Sequence, residues 1–221
     1  MKAYTDRMRE IAAQALKDGT IEAVIGFANT ALPTIARPIR ITRPEDTDQL
    51  VFNCNCRLNL ANYLKDIKGR VGIVAKGCDS RNIVIQMHEN RVKREQLFII
   101  GMPCPGMADK KRLSSAVSKE ILSVEDRGDV IEIRSADGTV KIDRRDLLQD
   151  NCKTCIRNNP VIFDESAGEA LPELEPINRF FDVEQIEAMA VEEKRAHFDD
   201  LLGECIRCYA CKNACPLCYC P

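Results

Sequence analysis

The sequence predicts an α/β domain with a parallel βαβ core and a small antiparallel meander, followed by a short cysteine-rich segment at the C-terminus. Three observations lead to this prediction. Apolar runs typical of buried strands, at 70–75 and 96–101, stand on both sides of a stretch with helical periodicity. Residues 121–142 alternate between apolar and polar side chains around two glycine turns. Six of the twelve cysteines lie after residue 200.

The first elements are predicted from periodicity. Apolar residues at helical spacing predict an amphipathic helix over 4–18. Strands are predicted at 21–27 and at 36–42, the second weakened by Pro38, because proline cannot donate a hydrogen bond inside a sheet. Leucines at helical spacing predict a further helix over 55–68.

The following segment has the order of a βαβ unit. Its strand, loop, helix and strand are predicted at 70–75, 76–80, 81–91 and 96–101. Such a unit joins parallel strands, and ligands in open α/β sheets collect outside the carboxyl ends of the strands. Cys78 and Cys104 stand in the two loops that follow these strands, so we expect both at that edge.

The meander comes next, with strands predicted at 121–124, 130–134 and 139–142. Cys152 and Cys155 follow it as a C-x2-C pair, a natural half-site for a metal centre.

An acidic stretch separates the predicted α/β domain from the C-terminal segment. The α/β domain is expected to span 1–160, with an acidic linker over 161–181. Between 164 and 193 there are ten acidic side chains and one basic side chain. This balance is typical of a solvated segment, and a strap lying on a basic partner face is the alternative. A helix with Asp182 as its N-cap then opens the last segment, 182–221.

Composition excludes several classes of protein. With 32 Lys+Arg against 34 Asp+Glu, the chain lacks the basic excess of a nucleic-acid-binding protein. No apolar stretch is long enough to span a membrane, and the first residues lack the core of a signal peptide, so a cytoplasmic location is expected. Cytoplasmic thiols are kept reduced, so the cysteines indicate metal binding rather than disulfides.

The last segment contains the most specific motif. Its C-x2-C-x2-C-x3-C-P spacing is the bacterial ferredoxin run, which binds a [4Fe–4S] cluster. The ligand candidates are Cys205, Cys208, Cys211 and Cys215. Three cysteines with two residues between each pair can place their thiolates at three corners of a cubane. The fourth cysteine is followed by proline, which sets the direction in which the chain leaves the loop. Zinc is the alternative, although zinc sites usually take two pairs separated by a longer spacer.

Two more cysteines, Cys218 and Cys220, precede the final residue Pro221. In two-cluster ferredoxins the fourth cysteine of the run serves the other cluster. One interpretation is therefore that the natural polypeptide continues and that Cys215, Cys218 and Cys220 belong to a further cluster. In the other interpretation, the ferredoxin-like run closes one cluster by itself.

The dispersed cysteines also carry a family resemblance. The segments 72–78 (GIVAKGC) and 99–106 (IIGMPCPG), followed by Cys152-x-x-Cys155, resemble the β subunit of coenzyme F420-reducing hydrogenase and F420-dependent formate dehydrogenase. The resemblance covers about residues 15–160. It implies one [4Fe–4S] cluster next to a flavin, with Cys78, Cys104, Cys152 and Cys155 as ligands. Family members commonly begin with a ferredoxin module, whereas here the ferredoxin run is C-terminal.

Four other residues have two interpretations each. Cys54 and Cys56 precede the predicted 55–68 helix, whose N-terminus would favour a thiolate, but a structural role is the preferred interpretation. Lys76 and Arg81 form either a solvated loop or a site that receives an anionic cofactor or balances cluster charge.

The sequence contains no nucleophile elbow, Walker loop, H-E-x-x-H or haem motif, so an independent hydrolase or transferase is not expected. The prediction is an electron-transfer subunit of a larger oxidoreductase of the hydrogenase, formate dehydrogenase or heterodisulfide-reductase type. It would carry two [4Fe–4S] clusters, bind other subunits of a redox complex, and lack catalysis of its own. The alternatives are a flavin (FAD) subunit serving F420 or NAD(P)H, and a zinc-stabilised interaction module.

Overall fold

A computed structural model of the chain describes residues 1–65, 67–175 and 177–218. The strands in this part of the chain are β1 (Ala23–Asn29), β2 (Ala36–Ile41), β3 (Val71–Ala75), β4 (Leu97–Gly101), β5 (Ile121–Asp126), β6 (Val130–Ser135), β7 (Gly138–Asp143) and β8 (Glu165–Ser166). The helices are α1 (Lys2–Lys17), α2 (Gly77–His88), α3 (Lys110–Ser115), α4 (Arg144–Leu147), α5 (Asp150–Lys153), α6 (Phe181–Ala188), α7 (Val191–Gly203) and α8 (Ala210–Ala214).

The main sheet confirms the predicted parallel core. Its strand order is β2-β1-β3-β4-β8, with β1, β3, β4 and β8 parallel and β2 antiparallel at one edge. Every residue of β3 and β4 is buried, as expected for strands covered on both faces. Pro38 lies in the edge strand β2, where a missing N–H donor is tolerated.

The meander is a separate antiparallel sheet in the order β5-β6-β7. Ile131 and Ile133 of β6 are fully buried and pack with Leu113 and Leu147 in a small apolar cluster. The predicted α/β domain with an added antiparallel meander is therefore confirmed at this level.

Two helices differ from their predicted positions. The helix predicted over 55–68 is only a 3-10 turn, Leu60–Leu64. Asparagine side chains accept hydrogen bonds from the backbone just before it, Asn53 from Asn55 and Asn59 from Ala61, which favours turns over a helix. The helix predicted to start at residue 81 begins at Gly77, because the Asp79 carboxylate accepts the Lys76 N–H at 2.9 Å and caps it.

The segment after residue 160 also departs from expectation. Glu165–Ser166 add the short parallel strand β8 to β4, inside the stretch treated above as an acidic linker. Asp164 secures this strand: its carboxylate accepts the Ile99 N–H at 2.7 Å and pairs with Arg94 at 2.6 Å. An acidic residue here therefore has a structural contact in the sheet rather than only a solvated position.

The single helix predicted from Asp182 is two helices, α6 and α7, interrupted at Met189 and Ala190. Phe180 rather than Asp182 is the N-cap of α6. All residues of both helices are at least partly exposed. Within the described ranges, no helix has the length and apolar character needed to cross a membrane.

The burial of β3 predicts the effect of truncating its side chains. Ile73 is fully buried, so Ile73→Ala should lower the free energy of unfolding by about 2–5 kcal/mol through lost contacts and a cavity. Ile177→Ala is the matched control, because that side chain is exposed and the change should stay within about 0.5 kcal/mol. Urea unfolding followed by circular dichroism measures both, and equal effects would contradict the position of β3 in the core.

Candidate metal centre

The sheet brings three dispersed cysteines to one edge. Cys78 is in the first turn of α2, directly after β3, and Cys104 is in the loop after β4. Cys152 is in the short helix α5, and Cys155 follows two residues after that helix ends. The Cys104 N–H donates to the Asn158 carbonyl at 2.9 Å, which joins the segment after Cys155 to the loop of Cys104. The predicted position at the carboxyl ends of the parallel strands is thus observed for Cys78 and Cys104.

The thiols at this edge influence one another's pKa values. Burial raises the pKa of the Cys104 thiol to about 12; Lys76 and the Gly106 N–H lower it, while the Cys78 and Cys152 thiols raise it. Burial likewise raises the pKa of Cys152, and the Cys155 thiol adds to the effect. Cys78 is exposed at the rim of the group.

Backbone N–H groups face the sulfur atoms. The Met107 N–H donates to Cys152 Sγ at 3.5 Å, and the Arg157 N–H donates to Cys155 Sγ at 3.4 Å. Such N–H···S bonds stabilise thiolate ligands and tune the potential of iron–sulfur centres.

Two arginines hold the cysteine-bearing segments in place. Arg81 Nη1 donates to the carbonyls of Gly77 at 2.7 Å and Asn159 at 3.0 Å, which ties the segment after Cys155 to the start of α2. Arg144 is buried, pairs with Asp126 of β5, and donates to the Gly106 carbonyl at 2.7 Å. The meander is thereby fastened to the loop of Cys104.

Lys76 lies behind the same edge and is buried. Its ammonium pairs with Asp79 Oδ2 at 2.8 Å, donates to the Leu58 carbonyl at 2.9 Å, and stands 4.9 Å from the centre of the Phe27 ring. Lys76 is therefore not part of a solvated loop. Binding of an anionic cofactor by Lys76 or Arg81 stays a prediction.

Cys54 and Cys56 lie elsewhere, inside the core. Both are buried, Cys56 in the main apolar cluster and Cys54 in the small cluster beside the meander. Burial raises the pKa of each thiol to about 12. The element that follows the pair is the 3-10 turn Leu60–Leu64, not the predicted α-helix whose N-terminus would favour a thiolate. These features agree with the preferred structural interpretation of this pair.

The terminal run forms a loop on the outside of the molecule. Its four cysteines, Cys205, Cys208, Cys211 and Cys215, are exposed, and Cys218 is half-buried. Arg207 and Tyr209 adopt left-handed conformations, with φ of 56° and 58°. Non-glycine residues rarely do so, and such strain concentrates at functional sites. Cys220 lies outside the described residues.

Two side-chain amides attach this loop to the α/β domain. Asn62 Nδ2 donates to the carbonyls of Asn213 at 3.3 Å and Ala214 at 2.7 Å. Gln86 Nε2 donates to the Pro216 carbonyl at 2.9 Å, and Gln86 itself is buried. The end of the cysteine run is therefore bound both to the 3-10 turn Leu60–Leu64 and to the last turn of α2.

The cysteines are neighbours without forming a closed ligand set. Within residues 1–65, 67–175 and 177–218, no three His, Cys, Asp or Glu side chains are arranged to hold a metal ion together. The donor chemistry at the sheet edge nevertheless fits an iron–sulfur cluster, because thiols, N–H donors to sulfur and a buried cation occur together. The terminal run fits by its spacing and its left-handed loop.

Sequence reasoning missed two residues that shape this edge. Asp79 could have been found, because its position three residues after Lys76 is the spacing of a capping box. No local pattern reveals the role of Arg144, because its contacts depend on how the meander packs against the main sheet.

Comparison with known proteins finds similarity to solved structures. No protein-family model matches the sequence. Among solved structures, the fold is similar to a chain of the F420-reducing [NiFe] hydrogenase complex from Methanosarcina barkeri, with a TM-score of 0.52 and 17% sequence identity. The match covers 68% of this chain and 58% of that chain, so this chain spans less than two thirds of the hydrogenase chain. At this identity the two chains share a fold, in agreement with the resemblance in the cysteine motifs.

Close packing at Gly77 predicts a steric effect. A Cβ atom there would lie 2.4 Å from the Arg157 carbonyl oxygen and 2.9 Å from that of Asn159. Both are backbone atoms, so Gly77→Ala should push the segment after Cys155 away from α2 and lower the free energy of unfolding by about 1–3 kcal/mol.

Gly203→Ala serves as the control, since a Cβ atom at this helical glycine meets nothing within 4 Å. This variant should be neutral or more stable by up to about 1 kcal/mol. Chemical denaturation compares the two, and a Gly77 variant as stable as the Gly203 variant would show that the close approach is wrong.

Proposed function

We propose that this chain is an iron–sulfur electron-transfer subunit of a larger oxidoreductase complex and relays single electrons between two [4Fe–4S] clusters. The observation that supports the proposal is that Cys78 and Cys104 directly follow the adjacent parallel strands β3 and β4, and that the Met107 N–H, in the loop of Cys104, donates to Cys152 Sγ. Four thiols from three separate segments at a ligand-binding edge are more than core packing requires.

The surroundings of these thiols support a first cluster held by Cys78, Cys104, Cys152 and Cys155. In the apolar interior a thiolate is costly, and the chain offsets this cost with N–H donors to sulfur and with the Lys76 ammonium. Cys54 and Cys56 belong to the two apolar clusters of the core rather than to the loops that follow β3 and β4, and they are left out of the proposed ligand set.

The ferredoxin spacing supports a second cluster held by Cys205, Cys208, Cys211 and Cys215. The left-handed residues Arg207 and Tyr209 turn the backbone sharply between successive cysteines. Sharp turns of this kind are what a short loop needs in order to wrap around a cubane. Cys218 and Cys220 remain candidates for a further cluster.

Helix α2 supports the idea of a relay. Cys78 belongs to its first turn, and Gln86, which binds the terminal segment, follows eight residues later. At 1.5 Å per residue, the two positions are about 12 Å apart along the helix axis. One rigid element therefore connects a proposed ligand of the first cluster with the anchor of the terminal segment.

A bound cluster would supply reversible one-electron transfer, in which no covalent bond is made or broken. The residues of this chain hold the ligands, exclude water and balance charge. Arg81 and Arg144 fix the three ligand segments, while the buried strands β3 and β4 form an apolar floor beneath them.

Partners follow from the comparison only as part of this proposal. The hydrogenase chain of similar fold belongs to a complex, and we extend that arrangement to this chain. The partner would be the catalytic subunit of a cytoplasmic hydrogenase, formate dehydrogenase or heterodisulfide-reductase-like enzyme. The exposed helices α6 and α7, next to the terminal run, are available for such a contact.

Iron and acid-labile sulfide in anaerobically purified protein test the proposal. About eight iron and eight sulfide per chain are expected for two cubanes. Cys104→Ser and Cys208→Ser should each lower both contents by about half, whereas Cys54→Ala, a buried thiol outside both sets, should leave them unchanged.

Other outcomes separate the alternatives. If the wild type contains about four iron per chain and Cys104→Ser does not change that content, the proposed sheet-edge cluster is wrong. Zinc without sulfide would overturn the proposal in favour of an interaction module. Stoichiometric flavin together with iron would favour the flavin-bearing subunit.

The attachment of the terminal segment predicts a spectroscopic effect. Gln86→Leu and Asn62→Ala remove the amide donors to carbonyls on either side of Cys215. Both variants should keep their iron and sulfide but show weaker magnetic coupling between the reduced clusters in electron paramagnetic resonance spectra, because the terminal loop is no longer fixed to α2.

Gln185→Leu is the control, with the same substitution on the exposed helix α6. Its spectrum should match that of the wild type. Unchanged coupling in both the Gln86 and Asn62 variants would mean that these amides do not set the distance between the clusters.

A further inference from the structure

Helices α6 and α7 lack the packing that usually stabilises helices of their length. They contain 8 and 13 residues, and none of these residues is buried. Isolated helices shorter than about 12–15 residues are marginal in water, and most helical stability in proteins comes from the packing of an apolar face. Since no element of the described chain buries a side chain of either helix, we expect the stabilising contact to come from elsewhere.

Helix α7 has an apolar surface that is suited to such a contact. Phe198, Leu201 and Leu202 recur at spacings of three and four residues, and side chains at these spacings lie on the same side of a helix. They are 47%, 58% and 67% exposed. These three residues form the α7 face. Exposed apolar residues that are grouped in this way, rather than scattered singly, are typical of interaction sites.

Acidic side chains accompany the α7 face. Between residues 181 and 204 there are eight acidic and two basic side chains. Within residues 177–218, Arg195 and Asp199 form the one ion pair of these helices, with 3.7 Å between Nε and Oδ2 and both side chains exposed. An exposed pair of this kind has little energetic weight. The apolar residues of α7 therefore lie in a negative electrostatic field.

The positions of the last carboxylates are unfavourable for the helix itself. The C-terminal end of a helix has a partial negative charge, which favours lysine, arginine or histidine there. The last turn of α7 contains no basic residue, and Asp199, Asp200 and Glu204 stand at this end instead. Helix stability does not explain these acidic residues, whereas a cationic partner would neutralise both them and the end of the helix.

The same charge selects among the molecules that could cover the α7 face. A second copy of this chain would bring two acidic surfaces together, and like charges repel across an interface. Anionic lipids would repel the helices for the same reason. An apolar protein surface bordered by lysine and arginine side chains matches both the apolar residues and the acidic residues of α7.

We propose that the α7 face docks on a protein partner whose apolar surface is bordered by lysine and arginine side chains. This inference deepens the proposed function and rests on it, because the partner would be a subunit of the redox complex. The Cys205 N–H donates to the Leu202 carbonyl at 3.0 Å, so a partner on the α7 face lies beside the start of the terminal run. The face itself contains none of the proposed cluster ligands.

A labelled synthetic helix of leucine and lysine, with an apolar face bordered by lysines, tests the docking. Fluorescence anisotropy should show that anaerobically purified protein binds this peptide, and that added salt weakens the binding. Phe198→Ser/Leu202→Ser should raise the Kd about tenfold or more, because two apolar contacts are lost. Leu122→Ser is the matched control at an exposed leucine of the meander, and its Kd should equal that of the wild type.

Asp199→Asn/Asp200→Asn separates docking from a structural role of the acidic residues. The variant should raise the Kd for the leucine–lysine peptide about threefold, as expected for the loss of exposed charge pairs. In the free protein it should slow amide hydrogen exchange in α7, because the carboxylates oppose the helix dipole. Faster exchange together with an unchanged Kd would show that the carboxylates serve the helix and would overturn the role of charge in docking.

A leucine–glutamate peptide of the same pattern should not bind. Equal binding of the two peptides, no binding of the leucine–lysine peptide, or binding that Phe198→Ser/Leu202→Ser retains would overturn the inference. So would a dimer in sedimentation equilibrium, or adhesion to phosphatidylserine vesicles, that this double variant abolishes, because the face would then belong to a second copy or to lipid.

The iron content of the same samples separates this inference from the proposed function. Protein that contains about eight iron per chain but does not bind the peptide would contradict docking alone. Protein that binds the peptide through the α7 face but contains no iron would contradict the proposed clusters, and with them the assignment of the partner to a redox complex.

Discussion

Parallel pairing between β3 and β4 determines where the chain leaves the sheet. Because the two strands are adjacent and run in the same direction, the segments after Ala75 and Gly101 emerge side by side. The Met102 N–H donates to the Ala75 carbonyl at 2.9 Å, which extends the pairing one residue beyond the strands. Cys78 and Cys104 become neighbours for this reason alone, and the position of Cys152 then depends on the meander and Arg144.

Exposure differs among the groups near this edge. Cys78 is exposed, Cys104 and Cys152 are half-buried, and the Lys76–Asp79 ion pair at the start of α2 is buried. Charges in such a buried position interact strongly, because protein screens them less than water does. The Asp79 carboxylate therefore does two things at once: it caps α2 through the Lys76 N–H and it neutralises the Lys76 ammonium.

The sequence was sufficient wherever one local pattern determined the outcome. Continuous apolar runs predicted β3 and β4, and alternation around glycine turns predicted the meander. Predictions failed where a side chain competed with the periodic pattern. Asparagines before Leu60 redirected backbone hydrogen bonds, and Asp79 moved the start of α2 to Gly77.

Other features depend on contacts that no local pattern contains. Strand β8 is two residues long and exists because Asp164 meets Ile99 from a distant part of the chain. The positions of Cys78 and Cys104 followed from topology, but the burial of Lys76 required knowledge of where Phe27 and Leu58 lie. The attachment of the terminal run by Asn62 and Gln86 was equally invisible in the sequence, since their acceptors lie 130 or more positions further along the chain.

The attachment of the terminal run has a consequence for how this segment can evolve. The hydrogen bonds from Asn62 and Gln86 to the terminal run go to main-chain carbonyls of residues 213, 214 and 216, and any amino acid at positions 213 and 214 would provide such a carbonyl. Substitutions on the outer surface of the loop, at the exposed Ile206 for example, leave those acceptors in place. The outer face of the loop can therefore change in sequence while the loop keeps its anchorage on the rest of the molecule.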